Sequence, residues 1–228
     1  MSALQEQLRG MPLVAILRAV EPEEAVAIGQ VLLEAGFRAI EVPLNSPQPL
    51  RSIAALASAF GERAVVGAGT VLDPGDVERI AAAGGRLIVM PHADQAVIRA
   101  AKARALWCVP GVATPTEAFC ALAAGADALK MFPAEALPPA VVKAWRAVLP
   151  AEAWLLPVGG ITPERMAPYV AAGANGFGLG SALYQRGSTP AETAARARAF
   201  AAAWRNLKAP AARDLRAPAA PDPARPSA

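Results

Sequence analysis

The chain has 228 residues, and this length predicts one globular domain that can bury a complete hydrophobic core. Hydrophobic residues make up 54% of the sequence and charged residues 18%, a composition that excludes a disordered chain. The formal net charge is only +3, and no basic run is interleaved with aromatic side chains, so we expect no nucleic-acid partner.

The sequence also carries no mark of a membrane or secreted protein. No apolar stretch approaches the roughly 18 uninterrupted residues of a spanning helix, and the polar segment 1–10 does not resemble a signal peptide. The two cysteines, Cys108 and Cys120, make no disulfide framework, and we expect both to be reduced and buried. These features predict a cytoplasmic protein without a membrane partner.

Short apolar runs recur along the chain and are continuous rather than alternating with polar residues. Such runs are typical of strands that are covered on both faces of a parallel sheet. Eight strands are predicted, at 13–17, 39–42, 64–67, 87–90, 106–109, 128–132, 154–158 and 176–179.

The segments between these runs have helical character. Prolines fit the first turns of several helices, with Asp73 and Thr162 as predicted N-caps. Glycines that follow Ala-rich runs predict the helix ends, at Gly36, Gly84, Gly125 and Gly173. The predicted helices are 22–35, 46–60, 74–83, 94–103, 116–124, 138–148, 163–172 and 190–207.

The alternation of eight strands with helices predicts an α/β protein, specifically a (β/α)8 TIM barrel. A flavodoxin-like or Rossmann sheet is the alternative, although such sheets usually have fewer strands in this order. The predicted domain limits are an N-terminal segment at 1–11, a single barrel domain at 12–207 and a disordered tail rich in Pro and Ala at 208–228.

Barrel active sites form at the carboxyl ends of the strands, and this rule selects the candidate residues. The candidates at the predicted strand ends are Arg18, Glu41, Thr70, Pro91, Lys130, Gly159, Gly160 and Ser181.

Lys130 is one of four lysines and the only one that lies within an apolar strand. Burial of an ammonium group is costly, so this amine is either paired with a carboxylate or functional. Desolvation favours the neutral amine, which is the form that attacks a ketone to make an imine. The turn that follows, Phe-Pro-Ala-Glu, and the other strand ends favour the catalytic interpretation.

Glu41 interrupts the second apolar run, where a solvated surface charge is not expected. A carboxylate in such a position can have its pKa raised into the range of a general acid/base. The structural alternative is a salt bridge, for which Lys130 itself is a candidate partner.

The remaining candidates suit anion binding. The Gly159-Gly160 and Gly180-Ser181 turns follow the last two strands, where barrels often bind phosphate through backbone N–H groups, although both can also be simple tight turns. Arg18 and Thr70 can bind a carboxylate or a phosphate, and the alternative for Arg18 is a plain surface arginine. The single histidine, His92, cannot build the multi-histidine site of a zinc-dependent aldolase, and no role is assigned to it.

Several motifs occur together and in order along the chain. They are Ala-Ile-Leu-Arg at 15–18, Ile-Glu-Val-Pro-Leu-Asn-Ser-Pro at 40–47, Gly-Ala-Gly-Thr at 67–70, Leu-Lys-Met-Phe-Pro-Ala-Glu at 129–135 and Val-Gly-Gly-Ile at 158–161. With these motifs, residues 12–207 resemble the bacterial 2-keto-3-deoxy-6-phosphogluconate / 6-phosphogalactonate aldolase family.

The resemblance implies a class I aldolase that forms a Schiff base on Lys130 and uses Glu41 as the general acid/base. It implies that Arg18, Thr70, Pro91, Gly159, Gly160 and Ser181 bind the carboxylate and the phosphate of the substrate. It also implies a homotrimer that needs neither a metal nor an organic cofactor.

Asn45 favours the 6-phosphogalactonate branch, because enzymes of the gluconate branch often carry an arginine at this place. The expected reaction is the cleavage of 2-dehydro-3-deoxy-6-phosphogalactonate to pyruvate and D-glyceraldehyde 3-phosphate. The alternatives are the 6-phosphogluconate substrate, with or without 4-hydroxy-2-oxoglutarate, a phosphate-binding isomerase or synthase, and a non-catalytic sugar-phosphate binder.

Overall fold

A computed structural model of the protein describes residues 3–208, so residues 209–228 of the tail predicted at 208–228 lie outside the described residues. The described helices are α1 Ala3–Gln7, α2 Pro22–Ala35, α3 Pro49–Phe60, α4 Pro74–Ala82, α5 Gln95–Ala103, α6 Pro115–Ala123, α7 Pro139–Arg146, α8 Met166–Ala171 and α9 Pro190–Lys208. The strands are β1 Leu13–Ile16, β2 Ala39–Pro43, β3 Val65–Gly69, β4 Leu87–Val89, β5 Trp107–Val109, β6 Gly111–Val112, β7 Leu129–Met131, β8 Leu155–Pro157 and β9 Phe177–Leu179.

All strand pairs are parallel, which confirms the predicted α/β class. Six strands form one sheet in the order β5-β4-β3-β2-β1-β9, and three form a second in the order β6-β7-β8. Only Pro110, which has no N–H to donate, separates β5 from β6, so the chain continues as a strand past the predicted limit of 106–109. Val158, directly after β8, bridges Gly178 of β9 in the parallel sense.

Side chains alternate between two apolar layers along each strand, as the period of a β-strand requires. On β1, Val14 belongs to a cluster with Ala39, Val65 and Leu156, whereas its neighbour Ala15 belongs to the larger cluster packed against the helices. Both layers are buried, which explains why the apolar runs are continuous rather than alternating. We call the cluster that contains Val14, Ala39, Val65 and Leu156 the strand interior.

Helix ends agree with most of the predicted signals. The Asp73 carboxylate accepts a hydrogen bond from the Gly75 N–H at 2.6 Å, and Gly36 ends α2 in the left-handed conformation with φ 108°. Thr162 occupies the predicted N-cap position, but its side chain makes no cap hydrogen bond. Its hydroxyl instead hydrogen-bonds to Glu164, which lowers the pKa of that carboxyl. The helix predicted at 163–172 accordingly begins as a 3-10 turn before α8.

Three other predictions need correction. Residues 46–48 are a turn rather than the start of α3, because Gln48 precedes a proline and has left-handed dihedral angles. Lys208 ends α9 and so does not belong to the predicted tail. Cys108 is buried as expected, but Cys120 is exposed, because it lies on the outer face of α6.

The N-terminal segment is a short helix, α1, which the sequence analysis did not predict. Leu4 and Leu8 are each only 1% exposed and pack among the strand-interior side chains. A five-residue helix is not stable by itself, so this packing must hold α1 in place. The segment therefore closes the apolar end of the strand interior. No helix among residues 3–208 is long and apolar enough to cross a membrane.

We expect Leu8→Ala to lower the free energy of unfolding by about 2–4 kcal/mol, because it leaves a cavity where α1 meets the strands. Urea denaturation measures this change. Leu72→Ala is the control, because Leu72 is 55% exposed and its truncation should cost less than about 0.5 kcal/mol. An equal loss of unfolding free energy in the two variants would contradict a stabilising role of the contact between the N-terminal segment and the strands.

Candidate active site

A cavity of about 530 Å³ opens at the carboxyl ends of the strands. Seven of the eight predicted site residues line it, namely Arg18, Thr70, Pro91, Lys130, Gly159, Gly160 and Ser181. The eighth, Glu41, lines a smaller cavity of about 10 Å³, of which Lys130 also forms part. His92 is exposed and is not among the lining residues of either cavity.

Glu41 and Lys130 occupy inward positions of their strands. Glu41 lies two residues after Ala39 on β2, and Lys130 lies two residues after Ala128. Because successive side chains alternate between the faces of a strand, both continue rows that begin in the apolar strand interior. Strand geometry thus places two ionisable groups directly above a hydrophobic layer.

The Glu41 carboxyl is almost completely buried, with 2% of the residue exposed, and its Oε2 atom has no hydrogen-bond partner. Desolvation raises the pKa of Glu41 to about 7, against the opposing effects of the positive charges of Lys130 and Arg18. Gly69 on the adjacent β3 makes room for this carboxyl, since a Cβ at Gly69 would collide with it. Glu41 therefore exchanges a proton near neutral pH.

Lys130 is 6% exposed and its Nζ lies 4.7 Å from the centroid of the Phe132 ring. Burial lowers the pKa of Lys130; the nearby Glu41 charge opposes this effect and the Arg18 charge reinforces it. Lys130 and Glu41 form no ion pair within 4.0 Å, so the structural alternative of a direct salt bridge is not what holds the amine. The lowered pKa shifts the amine toward its neutral form, which is the nucleophilic one.

Arg18 connects the first two strand ends. Its Nη1 donates a hydrogen bond to the Asn45 side-chain oxygen at 2.9 Å, and the Ala19 N–H next to it donates to the Ser46 hydroxyl at 2.9 Å. The guanidinium charge lowers the pKa of both Glu41 and Lys130. Arg18 thus acts electrostatically on the buried pair while its side chain stays exposed at the cavity.

Three predicted site residues have left-handed backbones. Thr70 has φ 56°, which is unusual for a β-branched residue and costs conformational energy that the surrounding fold must supply. Gly159 and Gly160 have φ 114° and 57°, which favour glycine for conformational reasons alone. Strain of this kind is concentrated at functional sites.

Among residues 3–208, no group of three or more His, Cys, Asp and Glu side chains is arranged to hold a metal ion. A larger groove of about 890 Å³ lies between α4 and α5, and it is lined by helical and loop residues rather than by strand ends. The cavity above Lys130, by contrast, is lined by seven of the eight predicted site residues.

Comparison with known proteins identifies the family. The family model described as KDPG and KHG aldolase matches residues 4–199. The chain belongs to this aldolase family. The resemblance inferred from the sequence motifs is confirmed.

Two curated relatives and one solved structure illustrate the similarity. The chain is 49% identical over 195 residues to the 2-dehydro-3-deoxy-6-phosphogalactonate aldolase of Escherichia coli (strain K12), a match covering 86% of this chain and 95% of that protein. It is 32% identical over 162 residues to the KHG/KDPG aldolase of the same organism, covering 70% of this chain and 75% of that protein. The native KDPGal structure has 48% identity and a TM-score of 0.85, covering 86% of this chain and 96% of that one.

The cavity of the aldolase also contains residues that the sequence analysis did not select. Glu135 follows the Lys130 strand and lies against Gly159 and Gly160, where a Cβ on either glycine would contact it. Tyr184 and Arg186 lie on the loop after β9. Glu135 is the last residue of the Phe-Pro-Ala-Glu turn, so its position was visible in the sequence. No sequence signal separates Arg186 from the chain's other surface arginines.

We expect Glu41→Gln to change how the stability of the aldolase depends on pH. The folded-state pKa of about 7 exceeds the ordinary 4.5, so the folded protein binds more protons between these values and becomes less stable as pH rises through them. The substitution removes this loss, so the stability of Glu41→Gln relative to the wild type should rise by up to about 3 kcal/mol between pH 4.5 and 8. Urea unfolding across that range measures it.

Glu34→Gln, which replaces an exposed carboxylate on α2, controls for the loss of one carboxyl group. A difference between Glu41→Gln and the wild type that stays constant with pH would contradict the raised pKa of Glu41.

Proposed function

We propose that the chain is a single-domain, class I (β/α)8-barrel aldolase that cleaves 2-dehydro-3-deoxy-6-phosphogalactonate through a Schiff base on Lys130. The observation that carries the proposal is the position of Lys130: a buried amine with a lowered pKa that lines both the open cavity and the small cavity of Glu41. A lysine with a purely structural role has no need to line a ligand cavity, whereas a lysine that forms an imine must be reached by the substrate.

Closure of the strands into a barrel is supported by the contacts between the two sheets. Pro110 joins β5 to β6 along the chain, and the Val158–Gly178 bridge joins β8 to β9. Counting β5 and β6 as one strand, the pairing then runs through eight strands and returns to β1 through β9. A closed ring places all strand ends around one cavity, as the chemistry requires.

In the proposed reaction the neutral Lys130 Nζ attacks the C2 ketone of the substrate, and loss of water gives a protonated imine. Glu41 removes the proton from the C4 hydroxyl, directly or through one water molecule. The C3–C4 bond breaks, its electrons flow to the iminium to form an enamine, and D-glyceraldehyde 3-phosphate leaves. Protonation of the enamine at C3 and hydrolysis of the imine release pyruvate and restore the amine.

Glu41 suits both proton transfers of this cycle. A pKa of about 7 leaves the carboxyl close to half-protonated at neutral pH, so it can accept the hydroxyl proton and later return it to carbon. Its small cavity of about 10 Å³ lies at the lower limit of the space for one water molecule, which is consistent with a short proton path.

The remaining cavity residues suit the two anionic ends of the substrate. Arg18, Thr70 and Pro91 line the cavity together with Lys130, where the guanidinium can bind the carboxylate next to the reacting ketone. Gly159, Gly160 and Ser181 follow the last two strands and offer backbone N–H groups to the phosphate.

The galacto substrate is supported by two observations. Identity to the curated 6-phosphogalactonate aldolase is 49%, against 32% for the KHG/KDPG aldolase. Asn45 stands where enzymes of the gluconate branch often carry an arginine. In this chain its side-chain oxygen accepts a hydrogen bond from Arg18 and so orients that arginine. The family resemblance further supports a homotrimer in the cytoplasm, acting on a phosphorylated sugar acid without metal or organic cofactor.

We expect Lys130→Ala to lower kcat/KM for pyruvate release on the order of a thousandfold or more, because it removes the imine. Borohydride added with pyruvate should attach pyruvate to the wild type and not to the variant, as measured by mass spectrometry. Lys143→Ala, which removes an exposed lysine of α7, should keep both activity and labelling. Labelling of the Lys130→Ala protein would overturn the assignment, and a wild type that neither releases pyruvate nor is labelled would favour an isomerase or synthase.

We expect a coupled pyruvate-release assay to show a higher kcat/KM for the 6-phosphogalactonate acid than for the 6-phosphogluconate acid at equal concentration. The two substrates differ in the configuration at C4, the atom whose hydroxyl Glu41 deprotonates. A preference for the gluco substrate would retain the aldolase mechanism and overturn the galacto assignment.

A further inference from the structure

The substrate proposed above carries a phosphate dianion, and the glycine turns supply only neutral N–H donors for it. A dianion in a partly enclosed cavity needs cationic charge nearby. The cationic side chains that line the cavity are Arg18, Lys130 and Arg186. Lys130 has a lowered pKa, and the charge of Arg18 acts on the buried Glu41–Lys130 pair. Arg186 is therefore the lining cation without a task in the proposed chemistry.

We propose that Arg186 binds the phosphate of the substrate and that Glu21 holds this arginine by an ion pair until the phosphate replaces it. The inference rests on the proposed function and deepens it, since it assigns the charged contact of the phosphate site. Arg186 Nη2 lies 2.8 Å from Glu21 Oε1, with the two side chains 69% and 35% exposed. Such an exposed ion pair contributes little to stability, so a phosphate that offers two charge-assisted hydrogen bonds can displace the carboxylate.

The loop that carries Arg186 is fixed relative to the glycine turn after β9. The N–H groups of Leu183 and Tyr184 donate to the Gly180 carbonyl at 2.8 and 3.0 Å, and the Gln185 side chain donates to the Ser181 carbonyl at 3.1 Å. Arg186 thus lies five residues after Ser181, on a turn whose Gln185 side chain is hydrogen-bonded back to Ser181.

Tyr184 anchors this loop in the protein. It is 2% exposed and lies in the hydrophobic core, next to the residue pair Gln185 and Arg186 at the cavity. With the backbone held in this way, only the flexible arginine side chain has to move between Glu21 and the phosphate. A guanidinium suits this exchange because its planar donors fit a carboxylate and a phosphate equally well.

The test compares Arg186→Ala, Arg186→Lys and Glu21→Gln with the wild type. Arg186→Ala should raise KM for the phosphorylated substrate about tenfold or more with kcat changed less than about twofold, and Arg186→Lys should lie between the two. Glu21→Gln should lower KM, since it frees the arginine and removes a negative charge. Arg51→Ala is the matched control, because Arg51 forms a similarly exposed ion pair with Glu23 away from the cavity and should leave KM unchanged.

Calorimetry with D-glyceraldehyde 3-phosphate and borohydride trapping with pyruvate separate this inference from the proposed function. Arg186→Ala should weaken binding of D-glyceraldehyde 3-phosphate about tenfold and leave the rate of pyruvate trapping unchanged. The role of Arg186 would be overturned if Arg186→Ala left D-glyceraldehyde 3-phosphate binding unchanged, or if it weakened that binding and pyruvate trapping equally. In either case, an active wild type would still support the aldolase assignment. A wild type without turnover whose D-glyceraldehyde 3-phosphate binding still depends on Arg186 would overturn the function and retain the phosphate contact.

Discussion

The site depends on one physical constraint, the burial of a carboxyl and an amine side by side above an apolar layer. Removing either group from water disfavours its charged form, and Glu41 Oε2 has no hydrogen-bond partner to compensate. Burial raises the pKa of Glu41 to about 7 and lowers the pKa of Lys130, so it shifts both groups toward their neutral forms. The same desolvation that costs folding energy suits the roles proposed for the two groups, an acid/base for Glu41 and a nucleophile for Lys130.

The rest of the fold supports this arrangement. Strand alternation directs Glu41 and Lys130 inward, and the missing side chain of Gly69 leaves space for the carboxyl. Beneath them the strand interior is apolar, and Leu4 of α1 and Leu8 directly after it pack against it. The apolar packing therefore lies at one end of the strands and the ionisable pair at the other, where loops can vary without disturbing the core.

Charge at the mouth is distributed between two arginines with different partners. Arg18 is held by the neutral Asn45 side chain, and its charge acts on the buried pair. Arg186 is held by the anionic Glu21 and remains neutralised in the free protein. A neutral partner fixes orientation without screening, whereas an anionic partner can be replaced by a stronger anion.

The sequence by itself determined the parallel α/β class, most element positions and the family, because buried strands, proline starts and glycine ends are local signals in the chain. It also selected Lys130 and Glu41, since an ionisable residue inside an apolar run is visible without a structure. Tertiary structure alone decided that α1 packs into the strands, that Cys120 faces solvent and that the Thr162 hydroxyl turns to Glu164. It alone also decided that Arg186 reaches the cavity, because pairings such as Arg186 with Glu21 join residues far apart in the chain, and no local pattern encodes them.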